Sequence, residues 1–321
     1  MITRELTRRL PVLTVAAALL AAAGGCGSPA SHPPRHGAAS AGVAAAARGF
    51  PVSVAAANGT VRISKLPTSI ISLAPTATEM LYAIGAGGQV TGVDKYSNYP
   101  PNAPRTNLSG LTPNYEAIVA RKPDLVIVSN YAATIAKHLS AFGIPVLELP
   151  APATLNGEYA EFDQLGEATG HERQARAEVS TLRKQVAEIV ARAPHHAKPL
   201  TYYYELDQTY YSVTSSTFIG RLLGLLGLKS IADSAKGAAA AGGYPQLSAE
   251  FILKANPDYI ILADTICCHQ DAAAVAARPG WAGLAAVKAG RVIGLNDNIA
   301  SRWGPRVVDL LRTVLAGITR R

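Results

Sequence analysis

The chain of 321 residues carries a formal net charge of +8, is 49% hydrophobic, and holds 13 Tyr against 5 Phe. That length exceeds one small core and suits two lobes of ordinary size. The basicity is dispersed and lacks interleaved aromatic platforms, which excludes a nucleic-acid footprint and leaves solubility or attraction to an anionic membrane surface as its meaning.

Arg4, Arg8 and Arg9 form a basic head, Leu10 to Ala23 an apolar run, and Ala23-Gly24-Gly25-Cys26 sets a Cys behind small residues. This is an export signal over residues 1–25, and its apolar run of about 14 residues is shorter than the roughly 20 that span a bilayer. Loss of three arginines and Glu5 with it lowers the formal charge from +8 to +6. The small residues before Cys26 resemble the lipobox of bacterial lipoproteins, with Ala23 where Leu is usual. The resemblance implies a lipidated Cys26 and attachment to the outer face of the bacterial cytoplasmic membrane; the alternative is ordinary cleavage nearby and a free Cys. Residues 26–58 are mostly Ala, Gly, Ser, Pro and His, with too little apolar surface to offset ordering entropy. They are expected to form a flexible tether.

Residues 59–154 read as a first α/β lobe. Ile70 to Leu73 is a strand, and Thr76 to Glu79 has the spacing of a capping box for a helix reaching Ile84 and stopping at Gly85. Val90 to Val93 is a second strand, leading to the polar loop Asp94 to Pro101. Next, Asn114 caps a short helix opened by Glu116 and stopped by Pro123, and Pro123-Asp124 leads into the apolar run Leu125 to Val128. An unbroken apolar run suits a strand covered on both faces, as in a parallel sheet. A helix around Ile135 to Phe142 and a strand around Val146 to Leu149 close the alternation.

Residues 155–193 read as a helical linker. Leu155 to Thr169 is helical with Gly170 as terminator, and His171 to Arg192 carries Ala175, Val179, Leu182, Val186 and Ile189 at spacings of four and three. That is one amphipathic helix of about 22 residues and roughly 33 Å, a rod between lobes. Residues 194–321 form the second lobe, opening on the aromatic strand Leu200 to Tyr204. Here the earlier unit recurs: Ser248 caps, Glu250 opens the helix, and Pro257-Asp258 leads into Tyr259 to Leu262. Two copies about 134 residues apart mean one per lobe, not a solenoid period. Taken alone, both glutamates complement helix dipoles. Val292 to Leu295 is a late strand, and Pro305 starts a closing helix to Ile318.

No catalytic set stands out: G-x-S-x-G, Walker A, H-E-x-x-H and dinucleotide glycine patterns are all missing. Cys267 and Cys268, followed by His269, leave three readings open, namely a vicinal disulfide, a zinc site without recognisable partners, or unpaired thiols. The excess of Tyr suits recognition of a large ligand of mixed polarity, and Tyr96, Tyr131 and Tyr244 fall in loops where open α/β sheets bind ligands. The pattern argues for binding over turnover.

Six segments then carry a resemblance across the folded region: Ile71 to Met80, Gly92 to Pro100, both Glu units, Gly243 to Ser248, and Ser301 to Arg306. Their order and spacing resemble the Fe/B12 type of ABC-transporter substrate-binding proteins. The resemblance implies two α/β lobes joined by a single long backbone helix with a ligand cleft between them, the class III architecture. It implies a monomer without a cofactor of its own, in which Glu116 and Glu250 dock on arginines of a membrane permease. For the ligand it implies a metal chelate, a cobalamin-like corrinoid or a ferric siderophore, with haem less favoured. Tyr96, Tyr131, Tyr244, Arg302 and Trp303 are the implied ligand contacts, and Arg302 and Arg306 are suited to an anionic ferric chelate. Gly110 and Ser129 depart from the family by lacking aromatics it can carry there. A chelatase-like enzyme on a related scaffold, or a lipoprotein without a ligand, are the alternatives of other classes.

Overall fold

The unbroken apolar runs become the central strands of two parallel sheets in the computed structural model, which describes residues 49–320. The signal, Cys26 and the greater part of the expected tether lie outside the described residues. The tether boundary at residue 58 needs correction. Strand β1 (Val52–Ala56) pairs antiparallel with β2 (Gly59–Ile63), and Val54, Val61 and Ile63 are buried, so ordered structure begins before residue 58.

The first sheet contains β3 (Ile70–Ser72), β4 (Val90–Val93), β5 (Leu125–Val128) and β6 (Val146–Glu148) in the order β4-β3-β5-β6. Helices α1 (Pro75–Ala83), α2 (Tyr115–Val119) and α3 (Ala132–Leu139) connect them. Two linking helices follow, α4 (Leu155–Thr169) and α5 (Glu172–Val190). The second sheet contains β7 (Leu200–Glu205), β8 (Leu228–Ser230), β9 (Tyr259–Leu262) and β10 (Val292–Gly294) in the order β10-β9-β7-β8. Its helices are α6 (Phe218–Gly224), α7 (Ala249–Ala255), α8 (Ala272–Ala276), α9 (Ala285–Lys288), α10 (Asp297–Ala300) and α11 (Val307–Thr319). All ladders in both four-stranded sheets are parallel.

The recurring Pro-Asp has a structural cause. Asp124 Oδ2 accepts from the Thr68 and Ser69 backbone N–H groups and the Thr68 hydroxyl at 2.9, 3.1 and 3.0 Å. In the second lobe Asp258 Oδ2 accepts from the Thr201 backbone N–H and hydroxyl at 2.8 and 2.9 Å. Each aspartate thus ties the start of one strand to the start of the neighbour it pairs with.

Gly170 ends α4 in the left-handed conformation at φ 73°, so the chain reverses into α5 without a Cβ penalty. On α5, Ala175, Val179, Leu182, Val186 and Ile189 are all buried. Each of the four larger side chains contributes about 1.5–3 kcal/mol by burial. The long helix is therefore fastened along its length.

Candidate functional site

In both sheets the chain reverses its strand order beside the first strand: β3 has β4 on one side and β5 on the other, and β7 has β8 and β9. Ligands of open α/β sheets bind at the carboxyl ends of strands where this happens. In the first lobe that position holds a cavity of about 380 Å³. Leu73, Pro75 and Thr76 after β3, Asp94 and Tyr96 after β4, and Val128, Ser129 and Asn130 after β5 line it. Asn298, Ser301, Arg302 and Trp303 close it from the second lobe.

Of the expected ligand contacts, Tyr96, Arg302 and Trp303 come together here, whereas Tyr131 and Tyr244 are not in the wall. Tyr96 is half exposed, with the Lys95 ammonium 4.9 Å from its ring centroid. Tyr131 is exposed at the head of α3 with φ 61°, and Tyr244 is 40% exposed in the second lobe. Gly110 also lines the cavity, and a Cβ there would lie 2.3 Å from the Leu73 carbonyl oxygen. The missing aromatic at this position is thus a packing requirement.

The expected capping box is not formed. Pro75 occupies the first turn and Ala74 is the N-cap, so α1 begins earlier than Thr76. Glu79 consequently sits inside the helix, 3% exposed, and its carboxylate receives both cleft arginines. Arg306 donates through Nε to Oε2 at 2.7 Å and through Nη2 to Oε1, and Arg302 donates through Nη1 to Oε1 at 2.8 Å. Arg302 also donates to Asn98 Oδ1, the Tyr96 carbonyl and Asn298 Oδ1 at 2.9, 2.9 and 2.7 Å. The Asn98 amide N–H₂ donates to Asn298 Oδ1 at 3.1 Å. Arg302 therefore lines the cavity with both Nη groups already engaged, and these bonds bolt one lobe to the other.

Beneath this bolt, Trp303 Nε1 donates to Glu161 Oε2 at 2.8 Å on the linking helix α4. Burial is the main cause that pushes the Glu161 carboxyl up to about 8. Glu158, one turn away and fully buried, is also raised well above the usual carboxylate range by burial and by Glu161. Asp94, buried at the cavity wall, is raised by burial, although it accepts from the Ser97 backbone N–H and hydroxyl and lies near Arg302. At the end of β7, Glu205 takes both Arg278 Nη groups at 2.6 Å. Neighbouring Asp264 is raised by burial and by the Glu205 charge.

Glu116 and Glu250 are both exposed, each in the first turn of its helix, with Asn114 and Ser248 capping as expected. Among the described residues neither carboxylate forms an ion pair. Cys267 and Cys268 are not bonded to each other in this structure, the unpaired-thiol form of the three open readings. Neighbouring Cα atoms lie about 3.8 Å apart across a trans peptide, below the roughly 4.4–6.8 Å of a relaxed disulfide. Asp297 further fixes the loop by accepting from the Ile266 and Cys267 N–H groups at 2.9 and 2.7 Å. Among the described residues no group of three His, Cys, Asp or Glu is arranged to hold a metal, so the zinc alternative has no support.

The family model described as periplasmic binding protein matches residues 70–299. The chain belongs to this family. An uncharacterized ABC transporter substrate-binding lipoprotein of Bacillus subtilis is 31% identical over 307 residues, covering 92% of each chain. A cobalamin-binding protein of Halobacterium salinarum is 30% identical over 271 residues, 81% of this chain and 72% of that one. Among solved structures, a possible iron-binding (periplasmic solute-binding) protein from Staphylococcus epidermidis superposes with a TM-score of 0.68 at 27% identity, covering 80% of this chain and 100% of its own. As in other periplasmic binding proteins, two α/β lobes flank a cleft, and the bolt and cavity described above occupy it.

Proposed function

We propose that the protein is the substrate-binding lipoprotein of an ABC importer and captures a large, nearly neutral metal chelate, preferably a cobalamin-like corrinoid. One observation carries the choice of ligand: both cleft arginines are turned onto Glu79, leaving a cavity lined chiefly by apolar, aromatic, amide and hydroxyl groups, with the Asp94 carboxyl at its wall. Such a lining suits an amphipathic macrocycle bordered by amides, with Tyr96 and Trp303 against its apolar parts and Ser129, Asn130 and Asn298 offering hydrogen bonds. The cobalamin-binding relative supports this reading. A cavity of about 380 Å³ holds only part of so large a ligand, and Tyr131 and Tyr244 would meet it, if at all, outside that wall. Cys26 anchors the chain through lipid to the outer face of the membrane, and Glu116 and Glu250 dock the monomer on the permease. No turnover of the chelate is part of this role.

Titration of the purified protein with cyanocobalamin, followed by calorimetry, tests the reading. Saturable one-to-one binding is expected, and no heat or spectral change at concentrations up to about 100 µM, weaker than roughly −5.5 kcal/mol, would refute it. A ferric-siderophore receptor is the second reading, favoured by the presence of Arg302 in the wall and by the similarity to the Staphylococcus protein.

A further inference from the structure

We infer that Glu79 is a specificity-determining residue: by pairing with both Arg302 and Arg306 it lowers the positive charge of the cleft and disfavours anionic chelates that two unpaired arginines would suit. The inference rests on the corrinoid reading of the same site. Glu79, Arg302 and Arg306 form one cluster across the cleft, with side-chain exposures of 2%, 9% and 16%. One carboxylate between two guanidiniums leaves the cluster less positive than the arginines alone, and the Asp94 carboxyl lines the same cavity near Arg302. A chelate carrying carboxylates or catecholates would need guanidinium N–H groups free to point at it. Both Nη groups of Arg302 are directed to protein oxygens, and Arg306 is held by Glu79 through Nε and Nη2 with the Tyr99 ring centroid 4.3 Å away, which leaves Nη1 as its one open edge.

An anionic ligand that approaches these arginines also approaches the buried Glu79 carboxylate, which stays in place at close range. Repulsion between ligand and Glu79 then opposes whatever the arginines contribute. A neutral ligand meets no such opposition, because it carries no charge for Glu79 to repel. The placement of Glu79 explains how the chain keeps two arginines beside its cavity and still suits an uncharged ligand.

Calorimetric titrations of wild type and Glu79→Gln with cyanocobalamin and with the triply anionic ferric tris-catecholate complex test this. Wild type is expected to favour cyanocobalamin by at least ~100-fold, and Glu79→Gln to strengthen ferric tris-catecholate binding roughly 10–100-fold in a salt-sensitive way. The double variant Glu79→Gln/Arg306→Gln, which removes the freed charge, is expected to return the catecholate affinity to about the wild-type value. If Glu79→Gln does not fold, wild type and Arg306→Gln decide the matter. Strong catecholate binding by wild type that Arg306→Gln abolishes means the arginines already serve the anion, and overturns the inference. Weak binding by both supports it. Cyanocobalamin binding by wild type with no catecholate gain in a folded Glu79→Gln overturns the role of Glu79 and leaves the corrinoid reading standing. Catecholate gain without cyanocobalamin binding by wild type does the reverse.

Discussion

Replacing Glu161 by Gln removes one titratable proton, preserves an acceptor for Trp303 Nε1, and is expected to flatten the fall of stability toward alkaline pH. In the folded protein the Glu161 carboxyl is pushed from 4.5 up to about 8, chiefly by burial against the linking helix and the Trp303 loop. A raised folded-state value means the native state holds a proton that the unfolded chain releases. Its contribution is fully present below about 4.5 and is lost as pH rises through about 8. Between those values the slope is about 1.4 kcal/mol per pH unit, so the span amounts to a ceiling of roughly 5 kcal/mol. Urea unfolding followed by circular dichroism at half-unit steps across this window measures it. Asp264 also titrates with a raised value, but it is unchanged in the variant and cancels in the difference, whereas Glu158 loses the part of its rise that Glu161 causes and so flattens the variant's curve in the same direction. The Gln protein should gain on wild type steadily with rising pH. Parallel curves would show that the Glu161 carboxyl is not held protonated by the fold, and the account of the acid pair would fall with it.

Asp258→Ala leaves the Thr201 N–H and hydroxyl without their acceptor and is expected to cost about 1–3 kcal/mol in urea unfolding. Gly110→Ala, whose Cβ would meet the Leu73 carbonyl oxygen at 2.3 Å, is expected to lower stability by at least ~1 kcal/mol and to weaken cyanocobalamin binding by displacing the cavity wall. Reversing charge at both docking sites, Glu116→Arg with Glu250→Arg, should abolish uptake by cells while leaving calorimetric affinity for the ligand within about three-fold, since both side chains are exposed and unpaired among the described residues. Small-angle scattering should show little compaction on ligand binding, because the bonds from Arg302 and Arg306 to Glu79 already hold the lobes together.

The fold was legible wherever burial left a one-dimensional trace. Leu125 to Val128 and Tyr259 to Leu262 are apolar throughout because both faces of a parallel strand are covered, and the linking helix shows its buried stripe at helical spacing. The hairpin at residues 52–63 escaped notice within an Ala-rich stretch, yet Val52 and Val54 alternate on one side of Asn58-Gly59 and Val61 and Ile63 on the other. Asn-Gly between alternating apolar residues is a hairpin signal in its own right. The site was harder to read because its decisive contact joins residues 223 and 227 positions apart. Thr76 to Glu79 matches a capping box by spacing, and only Pro75 hints that the helix starts earlier and turns Glu79 inward. Arg302 and Arg306 look like ligand donors for the same reason: their partner is remote in sequence. Once Glu79 is placed between them, the cleft changes from a basic socket into a partly neutralised one. The two copies of Glu and Pro-Asp then divide differently from their appearance, with the aspartates tying neighbouring strands together and the glutamates left exposed.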